Sequence, residues 1–317
     1  MSGPDRREVL RGVVGAAALA GWGHLLMGGD RAVASGVQPT VIARAAGPLE
    51  VLALLDAHGR FPGRRQDHFP DATAADWARA DRIDPAAAGP DDAWNLDFRC
   101  YAIRRPGGRV TLVDTGIGHA ASPAAGWAPV PGQLPTVLTE AGIAVDDVET
   151  VVLTHLHEDH YGWVVGPDGT PMFPGARHLI QRAEVTALSE DDSAMSYVIA
   201  PLRAAGLLRQ VEGHTRILSC GRGQAGTVTL VPTPGHTAGH QSVLVESPAR
   251  HILVTGDVLV HAVQLANPGV AYRFERDQPL ARTTREELLS QARRRNTLLA
   301  TAHLNRAFVP AQEVPAR

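Results

Sequence analysis

The sequence contains no lysine, so all 30 of its basic residues are arginines, and 33 acidic residues bring the net charge to −3. The arginines are scattered among the acidic residues, with a dense run only at 293–295. Nucleic-acid binding requires a broad basic patch that neutralises phosphates. The charge pattern therefore argues against a nucleic-acid partner.

Cysteine is scarce as well, since only Cys100 and Cys220 occur in 317 residues. Two distant cysteines do not make a disulfide scaffold, and neither lies at metal-ligand spacing. The sequence leaves open whether they form one disulfide or remain two buried thiols.

The N-terminal apolar stretch at 13–26 is modest and is interrupted by glycines and by His24, so a membrane-spanning helix fits it poorly. It follows DRREVLR at 5–11 and precedes Ala-Val-Ala at 32–34, which resembles a twin-arginine export signal. We expect residues 1–34 to be this signal and 35–317 to be one domain, exported to the periplasm or the medium, without stable membrane insertion after signal removal. The alternative is an amphipathic N-terminal helix of a cytosolic protein.

Strand and helix patterns alternate along the rest of the chain. Alternating or β-branched apolar runs predict strands at 49–56, 98–104, 109–114, 148–153, 227–231, 241–246 and 251–255. The first of these, at 49–56, is either a strand or a short helix. A turn at Pro106-Gly107-Gly108 joins the strands at 98–104 and 109–114. Helical spacing predicts helices at 74–82, within an irregular segment at 61–92, and at 135–141, 183–188, 193–205 and 283–299. This mixture predicts two sheets covered by helices, an α/β layered fold in one domain.

Four candidate metal ligands occur within six residues, at His155, His157, Asp159 and His160. They follow the strand predicted at 148–153, so the motif lies where that strand ends. Extended backbone would point His155 and His157 to the same side, and the chain is expected to turn into a helix at Asp159 and His160. Imidazole and carboxylate are ligands of zinc and similar metals. The segment therefore predicts a metal site, and the alternative is a histidine-rich surface loop.

Three later segments repeat this placement at the end of a strand. The segment PGHTAGH at 234–240 follows the strand at 227–231, and Gly235 allows a sharp turn before His236. Asp257 follows the strand at 251–255, and His303 follows an apolar run at 297–300. One such residue is weak evidence, but four placements in this order predict a shared metal site.

The order H-x-H-x-D-H, P-G-H-T-x-G-H, G-D and a late histidine resembles the metallo-β-lactamase superfamily. The D-T-G at 114–116 resembles an early turn of the same family. This resemblance implies an αββα sandwich with two metals at one edge of its sheets. It also implies a ligand set: His155, His157 and His236 for the first metal, Asp159, His160 and His303 for the second, and Asp257 between them.

Asp257 departs from the class B β-lactamases, which commonly have cysteine at this point. It is similar to the hydrolase branch with a bridging aspartate, which includes lactonases, thioesterases of the glyoxalase II type and organophosphate hydrolases. The segments at 161–163, 173–177 and 256–268 further resemble methyl parathion hydrolase-like and acyl-homoserine-lactone lactonase-like enzymes.

Two neighbouring divalent metals can hold a bridging hydroxide at neutral pH and polarise a carbonyl or phosphoryl oxygen. We therefore predict a binuclear hydrolase that cleaves a small ester, lactone or related bond in a small-molecule substrate. Asp159 and Asp257 are the candidate catalytic residues, with Asp159 able to protonate the leaving group. Zinc is the expected metal, and manganese, iron and cobalt are alternatives, because nitrogen and oxygen ligands do not decide between them.

Four further residues are candidates for supporting or lining the site. Asp114 would accept a hydrogen bond from a ligand imidazole and fix its tautomer. His240 would donate to a nearby carbonyl, and His261 and Tyr197 would line the pocket. An ordinary structural role is the alternative for each. The loops at 61–92, 119–135 and 188–211 are expected to select the substrate, and their apolar residues leave room for a homodimer.

Other functions are compatible with the same fold. A mononuclear iron oxygenase or redox protein would use one metal, whereas a phosphotriesterase would use two. A nuclease would require basic nucleic-acid-binding segments, which the charge pattern lacks. A binding protein that has lost its metals would not be expected to keep seven candidate ligands.

Overall fold

The computed structural model describes residues 40–220 and 226–313. The export signal predicted at 1–34 lies outside the described residues. Across the two described ranges, no helix combines the length and apolarity that crossing a membrane requires. Cys100 is buried and Cys220 half-buried, and both are free thiols.

The described strands form two sheets, one of seven strands in the order β1 to β7 and one of six in the order β13-β12-β11-β10-β9-β8. The first sheet contains β1 Val41–Ala46, β2 Leu49–Arg64, β3 Ala93–Arg104, β4 Val110–Val113, β5 Val148–Val152, β6 Arg177–Gln181 and β7 Leu208–Val211. The second contains β8 Thr215–Cys220, β9 Gly226–Pro232, β10 Gln241–Glu246, β11 His251–Val254, β12 Leu298–Ala300 and β13 Phe308–Pro310.

Helices connect and cover the sheets. They are α1 Arg65–His68, α2 Ala74–Ile83, α3 Leu134–Glu140, α4 Arg182–Thr186, α5 Ala200–Ala204, α6 Ala262–Ala266 and α7 Gln278–Arg294, with an irregular helical turn Met195–Ile199 leading into α5. Short 3-10 turns lie at Pro85–Ala87, Pro90–Asp92, Pro123–Gly126, Val145–Asp147, Gly256–Val258 and Ala311–Glu313.

Alternating side chains of the strands build the layers. In β2, Val51 and Ala53 belong to a core shared with the second sheet, whereas Leu52 and Leu54 belong to a core shared with α3. A third core lies on the outer face of the second sheet, where α2, α6 and α7 pack. Strands with both faces buried have nearly continuous apolar sequences, as β4 does with VTLV. The predicted layered fold, with two sheets between helices, is confirmed.

The direction of the strands positions the site. β4, β5 and β6 pair in parallel within the first sheet, and β11 and β12 pair in parallel within the second. Parallel neighbours end at the same edge of a sheet, and that edge is where ligands bind in open α/β sheets. The loops that carry the predicted ligands follow β5, β9, β11 and β12.

The end of the chain differs from the prediction of a helix at 283–299. The helix is α7, which begins after Asp277, whose side chain accepts the Leu280 amide at 3.0 Å. It ends at Arg294, because Asn296 adopts a left-handed φ of 52° and the chain then enters β12. The interior position of β12, between β11 and β13, outweighs the helical spacing of 297–299.

Two other segments also differ from the prediction. The segment at 61–92 begins as the end of the long β2 and contains α1 as well as α2, so it is more regular than expected. The helix expected after His160 is replaced by turns. There the amides of Gly162 and Trp163 donate to the carbonyls of Gly116 and Thr115 at 2.7 and 3.1 Å, so they are unavailable to a helix.

Candidate metal centre

The first cluster of candidate ligands combines two loops and a short turn. His155 and His157 follow β5, His236 follows β9, and Asp257 follows β11. His157 Nδ1 lies 3.0 Å from His155 Nε2 and 2.9 Å from His236 Nε2. Asp257 Oδ2 lies 3.2 Å from His236 Nε2 and 3.8 Å from His155 Nε2. Three imidazole nitrogens and one carboxylate oxygen therefore converge on one point.

The second cluster lies beside the first and consists of Asp159, His160 and His303. His160 Nε2 and His303 Nε2 are 3.2 Å apart. Asp159 Oδ2 lies 3.5 Å from His303 Nε2, and Asp257 Oδ1 lies 3.0 Å from the same atom. Because Asp257 turns one oxygen toward each cluster, its carboxylate stands between the two.

Hydrogen bonds on the outer side of the His155, His160 and His303 rings determine which ring nitrogen carries a lone pair. His160 Nδ1 donates to Asp114 Oδ2 at 2.9 Å, and His303 Nδ1 donates to the Asp97 carbonyl at 3.0 Å. The Thr154 hydroxyl donates to Asp114 Oδ2 at 2.8 Å, so its oxygen accepts His155 Nδ1–H at 3.0 Å. In the neutral form that binds a metal, each ring therefore carries its proton on the outer nitrogen, and Nε2 of all three rings points inward as the lone pair.

This donor set fits metal ions. Lone pairs that face one another at about 3 Å repel unless a cation lies between them, and a tetrahedral zinc ion with 2.0–2.1 Å bonds separates its ligand atoms by about 3.3 Å. Within each cluster the donor atoms lie within 4.8 Å of one another, and all seven side chains except that of His157 are buried. The residues present can therefore hold two divalent cations side by side.

The pKa shifts of the ligands differ within the site. Burial alone would lower the pKa of His160, but Asp257, Asp114 and Asp159 outweigh it and hold that pKa well above its usual value, so this ring must release a proton when a metal binds. Burial is the main cause that holds the pKa of His155 well below its usual value, so its ring is neutral and able to coordinate. Burial alone would raise the pKa of Asp257, but His303, His160 and His236 outweigh it and hold that pKa well below the usual range. A neutral imidazole and an ionised carboxylate are the forms that bind metals.

Asp114 occupies the position expected of a residue that orients a ligand. It follows β4 with a left-handed φ of 59° and accepts the Thr154 amide at 2.7 Å in addition to the bonds above. One carboxylate thus fixes His160 directly and His155 through the Thr154 hydroxyl. The sequence suggested one imidazole partner for Asp114, and the structure connects it to two.

His240 has a structural role beside Asp257. Its Nε2 accepts the Asp257 amide at 2.9 Å, so Nδ1 carries the proton and donates to Thr233 Oγ1 at 2.8 Å. Burial lowers the pKa of His240 to about 3, which keeps the ring neutral. The Thr233 and Ser242 hydroxyls are 3.0 Å apart and extend the chain to the Thr255 carbonyl. His240 therefore fixes the backbone of Asp257.

Tyr197 and His261 were expected to line the pocket. The Tyr197 hydroxyl donates to the Gly162 carbonyl at 2.8 Å and lies 3.1 Å from His119 Nε2, so it supports the turn that follows the first motif. His261 is buried in an aromatic cluster, with ring centroids 5.3–5.4 Å from those of Phe69, Trp77 and Trp94. Its place is in core packing, because the helix α6 that it caps is buried throughout.

Two contacts near the clusters were not anticipated from the sequence. The buried carboxylate of Glu184, at the start of α4, accepts the Leu156 amide at 3.0 Å and the Gly239 amide at 2.7 Å. Trp127 donates from Nε1 to Glu158 Oε2 at 2.8 Å and joins an aromatic wall beside His303 through Phe98. The sequence places Glu184 just after the apolar residues at 179–180, but its position at the edge of the sheet depends on the parallel pairing of β6 with β5, which the sequence does not show.

Comparison with known proteins gives consistent results. The model of the metallo-beta-lactamase superfamily matches residues 99–303. The N-acyl homoserine lactonase AttM of Rhizobium radiobacter is 33% identical over 187 residues, which cover 53% of this chain and 68% of that protein. The N-acyl homoserine lactonase AiiA of Bacillus thuringiensis subsp. kurstaki is 29% identical over 175 residues, covering 51% of this chain and 63% of that protein.

Solved structures share the fold at lower identity. AidC, a dizinc quorum-quenching lactonase in complex with a product, has a TM-score of 0.66 at 18% identity, covering 85% of this chain and 92% of that one. The hydrolase AbOPH of the beta lactamase superfamily has a TM-score of 0.69 at 21% identity, covering 87% and 94%. These likenesses extend over nearly the whole described chain.

Proposed function

This chain belongs to the metallo-beta-lactamase superfamily, and from that premise we propose that it hydrolyses lactones, with N-acyl homoserine lactones as the first class to test. It is a metal-dependent hydrolase with a small-molecule substrate. The observation that carries the proposal is the position of Asp257, whose two oxygens face the two clusters at 3.0–3.2 Å. A single carboxylate shared in this way suits two adjacent ions.

The metal pair supplies Lewis acidity and makes water ionise near neutral pH when it is bound. The residues of the chain supply geometry, because His155, His157 and His236 would hold one ion and His160, His303 and Asp159 the other. Asp257 would hold both at a fixed separation. Asp159 would take up the proton of the attacking water and return it to the alkoxide oxygen released when the ring opens.

Zinc is the metal we propose. Five imidazole nitrogens and two carboxylates suit zinc, although they also suit cobalt, manganese and iron. AidC is described as a dizinc lactonase, which favours the same metal in a homologous fold. A one-iron oxygenase requires a single cluster, whereas the described residues present two clusters that share a carboxylate.

The aromatic wall supports an acylated substrate. Trp127 packs against Phe61 and Phe98 with centroids 5.4 and 5.9 Å apart, and Phe98 packs edge-on against His303 at 5.7 Å. Phe61 and Phe98 are buried in the core and hold Trp127 in place, and the half-buried indole of Trp127 would bind an acyl chain through burial of its methylene groups. The lactonases AttM and AiiA, to which the chain is similar, act by their names on N-acyl homoserine lactones.

The test compares substrates and one variant. We expect N-hexanoyl homoserine lactone to be cleaved with a higher kcat/KM than aryl esters, thioesters or phosphotriesters, and a chelator to abolish cleavage. Asp257→Ala should lose zinc and reduce kcat/KM by more than about 100-fold, since even residues behind the ligands matter by 10- to 100-fold. The exposed Asp146→Ala is the matched control. A phosphotriester as the best substrate, or full activity in Asp257→Ala, would refute the proposal.

We also propose that the enzyme is exported. The arginine pair Arg6–Arg7, the apolar stretch at 13–26 and Ala-Val-Ala at 32–34 support this, and the twin-arginine route carries folded metalloproteins. Replacing the pair by two lysines should leave the protein in the cytoplasm of an expressing bacterium. Unchanged distribution between cytoplasm and periplasm would contradict export by this route.

A further inference from the structure

Glu184 connects the two loops that carry the imidazoles of the first cluster. Its Oε1 accepts the amide of Leu156, which lies between His155 and His157, at 3.0 Å. Its Oε2 accepts the amide of Gly239, three residues after His236, at 2.7 Å. One side chain therefore contacts the backbone of both loops within a few residues of their ligands.

The surroundings of Glu184 are built for this contact. The carboxyl group is buried, and burying a carboxylate is costly unless donors satisfy its oxygens. Here each oxygen meets a backbone N–H, and charge-assisted bonds of this kind are the stronger ones. Gly239 permits the approach, because a Cβ on it would lie 2.1 Å from the Glu184 amide nitrogen. The absence of a side chain at Gly239 thus allows Glu184 to approach the backbone of this loop.

Other backbone contacts between these segments lie before His155 and after Gly239. The Gln241 amide donates to the Thr154 carbonyl at 2.9 Å, and Gln241 Nε2 donates to the Leu153 carbonyl at 2.8 Å. These bonds align the start of β10 with the end of β5. They do not fix the backbone between His155 and His157, whereas the bond from the Leu156 amide to Glu184 does.

We propose that Glu184 is a positioning residue for the first metal: it holds the loops of His155, His157 and His236 in register so that their three nitrogens form one site. This inference rests on the proposed function, because it presumes that the first cluster binds a metal. The second cluster, formed by Asp159, His160 and His303, is not held by Glu184. The expected effect is therefore confined to one of two adjacent sites.

The test measures zinc affinity at each site separately. His303→Ala leaves the first cluster intact and His236→Ala leaves the second, and each background is compared with and without Glu184→Gln by competition with a chromophoric chelator. The glutamine keeps the size of the side chain but turns an NH₂ group toward one of the two amides. We expect affinity to fall about 10- to 100-fold in the His303→Ala background. In the His236→Ala background it should change less than about twofold.

A merely structural role would give a different pattern. Asp76→Asn is the control, since Asp76 is a buried carboxylate of the capping box of α2; it should lower the Tm and leave both zinc affinities unchanged. An equal loss at both sites, or none at either, would overturn the inference. If Glu184→Gln does not fold, Glu184→Asp, which withdraws the carboxylate by one methylene, is subjected to the same comparison. A wild-type chain that binds no zinc would instead refute the proposed function.

Discussion

The pH dependence of stability distinguishes two positions of His261. The structure buries it in an aromatic core, whereas the sequence suggested that it lines the substrate pocket. Burial lowers the pKa of His261 to about 3, with a smaller contribution from Arg65, whereas an unfolded chain has a histidine pKa near 6.5. Below pH 6.5 His261 is therefore protonated in the unfolded state but stays neutral in the folded state. Stability from this residue is fully present above pH 6.5 and is lost as the pH falls toward 3.

The magnitude follows from these two values. Between pH 7.5 and pH 5 the unfolded histidine becomes almost fully protonated while the folded one stays neutral, which costs about 2 kcal/mol at 1.36 kcal/mol per pKa unit. In His261→Phe this cost disappears, because phenylalanine retains an aromatic ring but does not titrate. The variant also loses the bond in which His261 Nδ1 accepts the Val263 amide at 3.0 Å, a helix-cap contact worth about 0.5–2 kcal/mol at any pH.

The assay is urea unfolding of chelator-treated wild type and His261→Phe at pH 7.5, 6.5 and 5. Both proteins share the other histidines, so only the difference between their unfolding free energies matters. We expect the difference between the two unfolding free energies to shift by about 2 kcal/mol in favour of the variant between pH 7.5 and pH 5. Parallel pH profiles would show that His261 titrates near its ordinary value and is accessible to solvent, as a pocket residue would be.

Two further substitutions test the support of the site and of the core. Asp114→Asn should weaken zinc binding about 10- to 100-fold in chelator competition, because the new NH₂ group cannot accept His160 Nδ1–H; wild-type affinity would contradict this. Arg285→Met should lower the free energy of unfolding by about 3–5 kcal/mol, because it leaves Glu275 buried without its 2.6 Å partner and removes the donor of three buried carbonyls, those of Pro268, Val258 and Val270. Adding Glu275→Gln should recover the part of that loss that comes from the unpaired carboxylate, and no recovery in the same urea titration would refute the argument.

The layered fold was predictable because its central strands have apolar or alternating sequences. The positions of the candidate ligands were predictable for a related reason. A histidine or aspartate directly after a buried strand must lie at an edge of the sheet, and strands that run in parallel share that edge. This reasoning reached His155, His236, Asp257 and His303 without coordinates.

The ring nitrogen that each histidine directs into the site was not predictable. His157 presents Nδ1 whereas His155 presents Nε2, and this choice depends on the Thr154 hydroxyl and on Asp114, 40 residues earlier. The sequence also could not show that Glu184 reaches two loops, because this depends on how β6 pairs with β5. Such contacts depend on tertiary packing, about which a local sequence pattern carries no information.

Some expectations failed where local spacing competes with packing. The helical pattern at 283–299 overlooked Asn296, whose left-handed conformation separates α7 from the buried strand β12. The helix expected after His160 is absent because Gly162 pairs with Gly116 across a tight contact, in which a Cβ on Gly162 would lie 2.1 Å from the backbone of Ile117. A homodimer stays a prediction, as does the domain boundary at 34.

The most direct test of the two-metal centre is a titration of metal-depleted protein with zinc, in which bound zinc per chain and the rate of N-hexanoyl homoserine lactone cleavage are followed together. Because the clusters share Asp257, we expect binding to saturate at about two equivalents and activity to rise mainly with the second, in line with catalysis by paired ions. Saturation at one equivalent with full activity, or lactone cleavage by the metal-depleted chain, would contradict the account.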